Sequence, residues 1–156
     1  MHVEKVMNPR PRSVKSHQSL ADAVAIMVER DCGWVPVVDD GKRVIGVVTD
    51  RDICLAAHDR DKRLKNIAVE GVMRTNVHAC RPKDHIRDAQ ALMRARRVRR
   101  LPVIDEDDQL VGLVSLSDLA RRAGMNDENK PKGLTSSDVA HTLAAICEPR
   151  SGDGPY

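Results

Sequence analysis

Gly46-Val47-Val48-Thr49-Asp50-Arg51-Asp52 occurs a second time as Gly112-Leu113-Val114-Ser115-Leu116-Ser117-Asp118, 66 residues further along the chain. The same offset relates Pro36-Val37-Val38-Asp39 to Pro102-Val103-Ile104-Asp105, and residues 3–57 align with residues 69–123 without a gap. Two copies are too few for a solenoid, which needs at least three stacked units. The duplication therefore predicts two similar lobes that share a core, because each is too small to bury much of its own surface. A cleft between two such lobes is a natural place for a ligand.

Both copies have the hydrophobic pattern of a β-α-β-β-α unit. In the first copy, a short strand near Ser13-Val14 precedes a helix that Ser19 can cap. A hairpin of residues 35–38 and 44–48 follows, and a second helix is expected over residues 51–57. We expect the buried side of the first helix to consist of Leu20, Ala23, Val24, Met27 and Val28.

The second copy repeats this order after a charged connector that we expect to be solvated, residues 59–66. A strand near residues 78–80 precedes a helix that begins after Asp84. The hairpin is expected at residues 101–104 and 110–114, and the last helix of the unit at residues 117–123. The buried side of the first helix in this copy is expected to consist of Ile86, Ala89, Gln90 and Met93.

The remaining residues predict a third segment. Residues 126–133 have the polar composition of a flexible linker. Thr135 is placed to begin a helix over residues 137–148, with Val139, Leu143 and Ile146 at helical spacing. A helix this short is not stable alone, so it must dock on the body or on a second subunit. Residues 150–156 are expected to be disordered. The sequence thus divides into residues 1–66, 67–124 and 125–156, in an α+β fold.

Composition narrows the possible functions. The chain has 156 residues, of which 41% are hydrophobic, but it has no Phe, one Trp and one Tyr, so it lacks the stacking aromatics of single-strand nucleic-acid binders. Its six His and four Cys show no metal-ligand spacing, and no metal is predicted. No apolar run approaches the roughly 20 residues of a membrane span. We expect a cytoplasmic protein, and the absence of any catalytic motif indicates that it is not an enzyme.

The chemistry of the duplicated motif favours a nucleotide. The carboxylates of Asp52 and Asp118 can each accept two hydrogen bonds from the 2′ and 3′ hydroxyls of a ribose. Thr49 and Ser115 stand three residues earlier, where a helix N-terminus is suited to a phosphate. Alternatively, each pair is a capping box without a ligand. The two interpretations are compatible, because a cap can also bind a ligand.

Two such units, each with the h-Pro-h-h-Asp strand and the Gly-h-h-[Thr/Ser]-x-x-Asp motif quoted above (h is a hydrophobic residue), resemble a tandem pair of CBS domains, also called a Bateman module. The resemblance covers residues 3–123. It implies two βαββα motifs related by a pseudo-twofold axis and a regulatory role. It also implies an adenine-containing ligand (AMP, ADP, ATP, S-adenosylmethionine or NAD) and a homodimer. The output would then pass through an unknown protein effector or through the C-terminal helix.

The resemblance also implies two pockets, each built from both copies. The first would combine Thr49 and Asp52 with Val77, His78, Arg99 and Arg100. The second would combine Ser115 and Asp118 with Arg12, Gly33 and Trp34. Because these walls differ in composition, the two pockets are expected to differ in affinity. Trp34 could line an adenine face, or it could be an ordinary buried residue where its strand begins.

The five arginines of the Arg94–Arg100 segment allow three interpretations. They could form a solvated helix end, since cations suit the C-terminal dipole. Some of them, above all Arg99 and Arg100, could bind ligand phosphates. The cluster could also contact nucleic acid weakly. The rival to the ligand-binding function is therefore an empty dimerisation and interaction scaffold, or a weak nucleic-acid binder.

Overall fold

A computed structural model describes residues 1–125 and 133–148 of the chain. Within them the α+β class predicted from the sequence is confirmed. The helices are α1 (Leu20–Arg30), α2 (Asp50–Arg60), α3 (Ile86–Arg96), α4 (Leu116–Gly124) and α5 (Ser136–Cys147). The strands are β1 (Asn8–Pro9), β2 (Val14–Lys15), β3 (Trp34–Val38), β4 (Val44–Thr49), β5 (Arg100–Ile104) and β6 (Leu110–Ser115). None of these helices is both long enough and apolar enough to cross a membrane.

The chain forms two compact units whose limits differ from those of the sequence repeat. The first-repeat unit contains residues 10–77 and 104–111, and the second-repeat unit contains residues 1–9, 78–103 and the described part of residues 112–156. Within the second-repeat unit, Asn8 pairs with Leu113, so the start of copy one extends the sheet of copy two. The equivalent Arg74 forms a bridge to Val47 within the first-repeat unit. The short segments that lead into each copy are therefore exchanged.

The first-repeat unit is a sheet of order β2-β3-β4 packed against α1 and α2. Ser19 caps α1 as predicted, and the hairpin of β3 and β4 is antiparallel. The predicted buried side of α1 is wrong at Val28, which is 78% exposed, while Ile26 is buried. The reason is geometric. With 100° between successive residues, the buried arc is centred near Ala23, and position 28 lies beyond its edge.

The second-repeat unit is a sheet of order β1-β6-β5. Its α3 buries the four residues predicted for it, including the polar Gln90. The strand predicted near residues 78–80 is wrong in extent, because it is reduced to one parallel bridge between Cys80 and Val103. The chain turns immediately afterwards, where Asp84 N–H donates to the Arg81 carbonyl, and Pro82 has no N–H for a sheet ladder.

The exchanged segments fit because each hairpin has a glycine beneath a methionine. A Cβ at Gly112 would stand 2.6 Å from Met7 Sδ and 3.4 Å from the Asn8 carbonyl oxygen. A Cβ at Gly46 would stand 2.7 Å from Met73 Sδ and 3.1 Å from the carbonyl oxygen of the next residue. The duplicated glycine therefore serves close packing.

We expect Gly112→Ala to lower the free energy of unfolding by about 1–3 kcal/mol, because the new methyl overpacks against the Met7 side chain, whose Sδ would stand 2.6 Å away. Urea unfolding of the whole chain measures this. Gly124→Ala is the matched control, since nothing lies within 4 Å of a Cβ there. Equal stability of the two variants would show that the close approach at Gly112 carries no constraint.

The C-terminal helix is confirmed, one residue earlier at each end than predicted. It packs on α3 and α4 of its own unit, and Thr135 caps it. Its buried residue is Thr142, whereas the predicted Leu143 is 43% exposed. The expected tail, residues 150–156, and all of the expected linker, residues 126–133, except residue 133 lie outside the described residues.

Acid should weaken the α5 cap. Hydrogen bonds from the backbone and then the side chain of Thr135 lower the pKa of Asp138 below its usual 3.8. A carboxyl whose folded pKa is depressed stabilises the fold above its unfolded pKa, and this contribution is lost as the pH falls through the folded value. We expect Asp138→Asn to be less stable than the parent at pH 7 and the difference to shrink below about pH 4. Urea unfolding at both pH values checks this, and a constant difference would contradict it.

Candidate functional site

The first predicted site pair lies at the junction of β4 and α2. Thr49 ends the strand and caps the helix. Oδ2 of Asp52 accepts hydrogen bonds from the Thr49 N–H (3.1 Å) and Oγ1 (2.8 Å), and the Asp52 N–H donates back to Oγ1 (3.1 Å). Its Oδ1 accepts from Nε (2.9 Å) and Nη2 (2.6 Å) of Arg74. Only 8% of Asp52 is exposed, so this carboxylate is buried and fully paired.

The equivalent pair lies at the junction of β6 and α4. Oδ2 of Asp118 accepts from the Ser115 N–H (2.8 Å) and Oγ (2.5 Å). Its Oδ1 accepts from Nη2 of Arg121, one turn further along the same helix. The copies thus share the cap but take their arginine from different places. The residue at the Arg121 position in the first copy is Leu55.

The cap alone does not mark a ligand site. Ser19 with Asp22, and Thr135 with Asp138, form the same reciprocal box at α1 and α5. What distinguishes Asp52 and Asp118 is an ion pair on the second carboxylate oxygen in addition to the box. Asp22, by contrast, is exposed. The capping interpretation therefore explains the Thr/Ser-x-x-Asp spacing but not the added arginines.

The other residues predicted for the first pocket belong to both units. Val77 is half-buried in the first-repeat unit, and its N–H donates to the Thr75 carbonyl. His78, also half-buried, belongs to the second-repeat unit. So do Arg99, whose carbonyl accepts from the Leu116 N–H, and the exposed Arg100, which begins β5. Their grouping around one ligand stays a prediction.

The residues predicted for the other wall of the second pocket lie in the first-repeat unit. Arg12 forms an exposed ion pair with Glu29 at 3.0 Å. A Cβ at Gly33 would stand 2.2 Å from Oδ2 of the exposed Asp50, so that side chain would have to shift. Trp34 is 9% exposed and pairs with Thr49 across the hairpin. The burial of Trp34 fits an ordinary buried residue, and its position opposite Thr49, the cap of α2, fits a residue that lines an adenine.

Three members of the arginine cluster contact α5, an outcome that none of the three interpretations contained. Nη1 of Arg94 donates to Oγ1 of Thr142 at 3.2 Å, and Nη1 of Arg97 donates to the Glu148 carbonyl at 3.4 Å. Nη2 of Arg99 lies 3.8 Å from Sγ of Cys147. Cations at the C-terminal end of α5 also suit its dipole. Much of the cluster therefore holds the C-terminal helix in place.

Thr142 is the buried centre of that contact. Its Oγ1 accepts from Nε2 of Gln90 at 3.2 Å as well as from Arg94, and donates to the Asp138 carbonyl. We expect Thr142→Val to lower the free energy of unfolding by about 1–3 kcal/mol, because the buried Gln90 amide loses an acceptor. Urea unfolding measures this against Thr75→Val, a change at an exposed position. A loss no larger than the control's would show that the hydroxyl does not hold α5.

Sequence reasoning missed the arginines that pair with the site carboxylates. Arg121 follows Asp118 by three residues on a helix, a spacing that favours ion pairs and could have identified it. Arg74 could not have been found this way. It is 22 residues from Asp52, and only its bridge to Val47 brings it there.

Comparison with known proteins identifies the family. A CBS domain model matches residues 3–59 and 69–124, so this chain belongs to the CBS domain family as a tandem pair. The CBS domain-containing protein YhcV of Bacillus subtilis (strain 168) is 35% identical over 136 residues, which are 86% of this chain and 93% of that protein. The resemblance stated from the two motifs is confirmed.

Two solved structures share the fold at 29% identity. CBSX2 in complex with AMP has a TM-score of 0.67 and is matched over 77% of this chain and 93% of that chain. Hypoxic Response Protein I with two coordinated zinc ions has a TM-score of 0.70, over 78% of this chain and 98% of that one. In residues 1–125 and 133–148 of the present chain, no three His, Cys, Asp or Glu side chains are grouped to hold a metal ion.

Proposed function

We propose that this chain is a regulatory CBS pair that binds an adenine-containing ligand and signals by changing conformation. The observation that carries the proposal is a duplicated helix cap. In each copy a Thr or Ser hydrogen-bonds to one oxygen of an Asp carboxylate, and an arginine pairs with the other oxygen. An ordinary helix cap does not need that arginine, as α1 shows. The ribose hydroxyls of a nucleotide are suitable partners for such a carboxylate.

The comparison with CBSX2 supports the chemical class of the ligand. That protein, 29% identical, was solved with AMP. AMP, ADP, ATP, NAD and S-adenosylmethionine are all candidates at this level, since all contain an adenosine. We propose that Asp52 and Asp118 are the residues that bind the ribose in the two sites.

A thermal-shift screen of the purified chain against AMP, ADP, ATP, NAD, S-adenosylmethionine and GTP tests the proposal. A ligand that binds only the folded state at 100 times its dissociation constant adds about 2.7 kcal/mol of stability. We expect a shift with at least one adenine ligand. We expect Asp52→Asn or Asp118→Asn to reduce this shift. An amide has only one acceptor oxygen, so it cannot accept hydrogen bonds from two ribose hydroxyls and also keep the helix cap.

Asp22→Asn is the matched control for lost capping. Asp22 has the same box with Ser19, but lies in α1 and outside the predicted sites. It should lower the melting temperature without changing the ligand-induced shift. If Asp52→Asn, Asp118→Asn and their double variant all keep the full shift, these aspartates do not bind the ligand.

The rival functions have less support. A nucleic-acid site would use the arginine cluster, but the guanidinium groups of Arg94, Arg97 and Arg99 already contact α5. An empty scaffold would give a cooperative melt and no shift with any ligand. We also propose that the output uses α5 or a protein effector. The homodimer and the cytoplasmic location stay predictions.

A further inference from the structure

The Asp52 carboxylate has no acceptor capacity left for a ligand. A carboxylate offers about four lone-pair sites. Thr49 fills two of them at Oδ2 through its N–H and its hydroxyl, and Arg74 fills two at Oδ1 through Nε and Nη2. A ribose hydroxyl that binds Asp52 must therefore displace one of these donors.

Arg74 is the donor that can leave. The Thr49 bonds also hold the first turn of α2, so breaking them would uncap the helix. The Arg74 side chain, by contrast, is 57% exposed. Its backbone is fixed to β4 at both polar groups, since its N–H donates to the Val47 carbonyl (2.8 Å) and its carbonyl accepts the Val47 N–H (2.9 Å). The guanidinium can thus swing away while its Cα stays beside Asp52.

Displacing the Arg74 guanidinium from Asp52 has a free-energy cost that depends on the charge of the ligand. Taking an arginine from a buried carboxylate is unfavourable unless both groups find new partners. Ribose hydroxyls would satisfy Asp52. Water would hydrate the displaced guanidinium, but only an anion would restore the ion pair it has lost, and a phosphate matches its fork in a bidentate pair. A neutral nucleoside offers no such partner, and a cationic sulfonium nucleoside would add repulsion.

We propose that Arg74 is a specificity-determining residue that makes the Asp52 site select phosphate-bearing nucleotides over uncharged or cationic adenosine compounds. The inference rests on the proposed function and narrows its ligand class at this site. Asp118 is the internal contrast, because its Oδ1 accepts one bond from Arg121 rather than two. That carboxylate keeps one lone pair, so its site should depend less on ligand charge.

Isothermal titration with AMP, adenosine and S-adenosylmethionine tests the inference in an Asp118→Asn background, which leaves only the Asp52 site to be read. We expect AMP to bind at least tenfold more tightly than either other compound. Arg74→Gln should lower this preference by about tenfold, since the displaced side chain no longer carries the charge that binds a phosphate. Arg74→Lys should give an intermediate preference because it keeps the charge without the fork.

The preference is the ratio of two affinities measured on the same variant, so any loss of stability in Arg74→Gln affects both affinities alike. Arg63→Gln is the matched control, because it removes an exposed arginine of the same unit and should leave the preference unchanged. Binding of AMP with an unchanged preference in Arg74→Gln would overturn the role of Arg74 and leave the proposed function intact. Loss of all adenine binding in Asp118→Asn, with binding kept in the unmodified chain, would likewise overturn the role of Arg74 and leave the proposed function intact. Failure of the unmodified chain to bind any adenine compound would overturn both proposals.

Discussion

A buried carboxylate must be fully paired, and that requirement organises the junction between β4 and α2. Removing water from an ionised group is costly unless hydrogen bonds and an opposite charge replace it. At Asp52 the replacements come from the first turn of its own helix and from Arg74, which is distant in sequence. The bridge between Arg74 and Val47 is therefore part of the same arrangement, because it places Arg74 next to the carboxylate. The glycine next to Val47 lets Met73 approach closely enough for that bridge to form.

Most local features of the fold could be predicted from the sequence, although the buried side of α1 is wrong at Val28, and the long-range contacts of Asn8 and Arg74 could not. Helix caps, hairpins and the apolar side of α3 are set by residues close together in the chain, and the predictions for them are confirmed. The edge strand Asn8–Pro9 was not predicted, because two residues that include a proline have no strand pattern of their own. Arg74, the partner of Asp52, was also missed, because the contact between them is distant in sequence. Nothing in the spacing of Arg74 indicates the contact that places it.

The two copies differ where one of them packs against α5. Gln90 and Arg94 both donate to Thr142, whereas the aligned residues of the first copy are Val24 and Val28. The Thr142 hydroxyl oxygen can accept hydrogen bonds from donors opposite it, and two valines offer none. The polar pair on α3 thus specifies which copy α5 packs on. Symmetry in sequence does not extend to this surface, so an output through α5 would be read from one copy only.

Under the proposed function, the capping and ligand-binding roles of Asp52 would fall on different oxygens of one side chain. Oδ2 of Asp52 belongs to the cap, and Oδ1 belongs to Arg74. Exchange at Oδ1 leaves the helix start intact, so a ligand could bind without unfolding the first turn of α2. The cap fixes the orientation of the carboxylate in advance, which lowers the conformational entropy lost on binding. The arginine keeps the buried charge paired when no ligand is present, which an empty site without it would not do. Under the proposed function, an ordinary helix cap would become a ligand site through an exposed arginine that pairs with its second carboxylate oxygen.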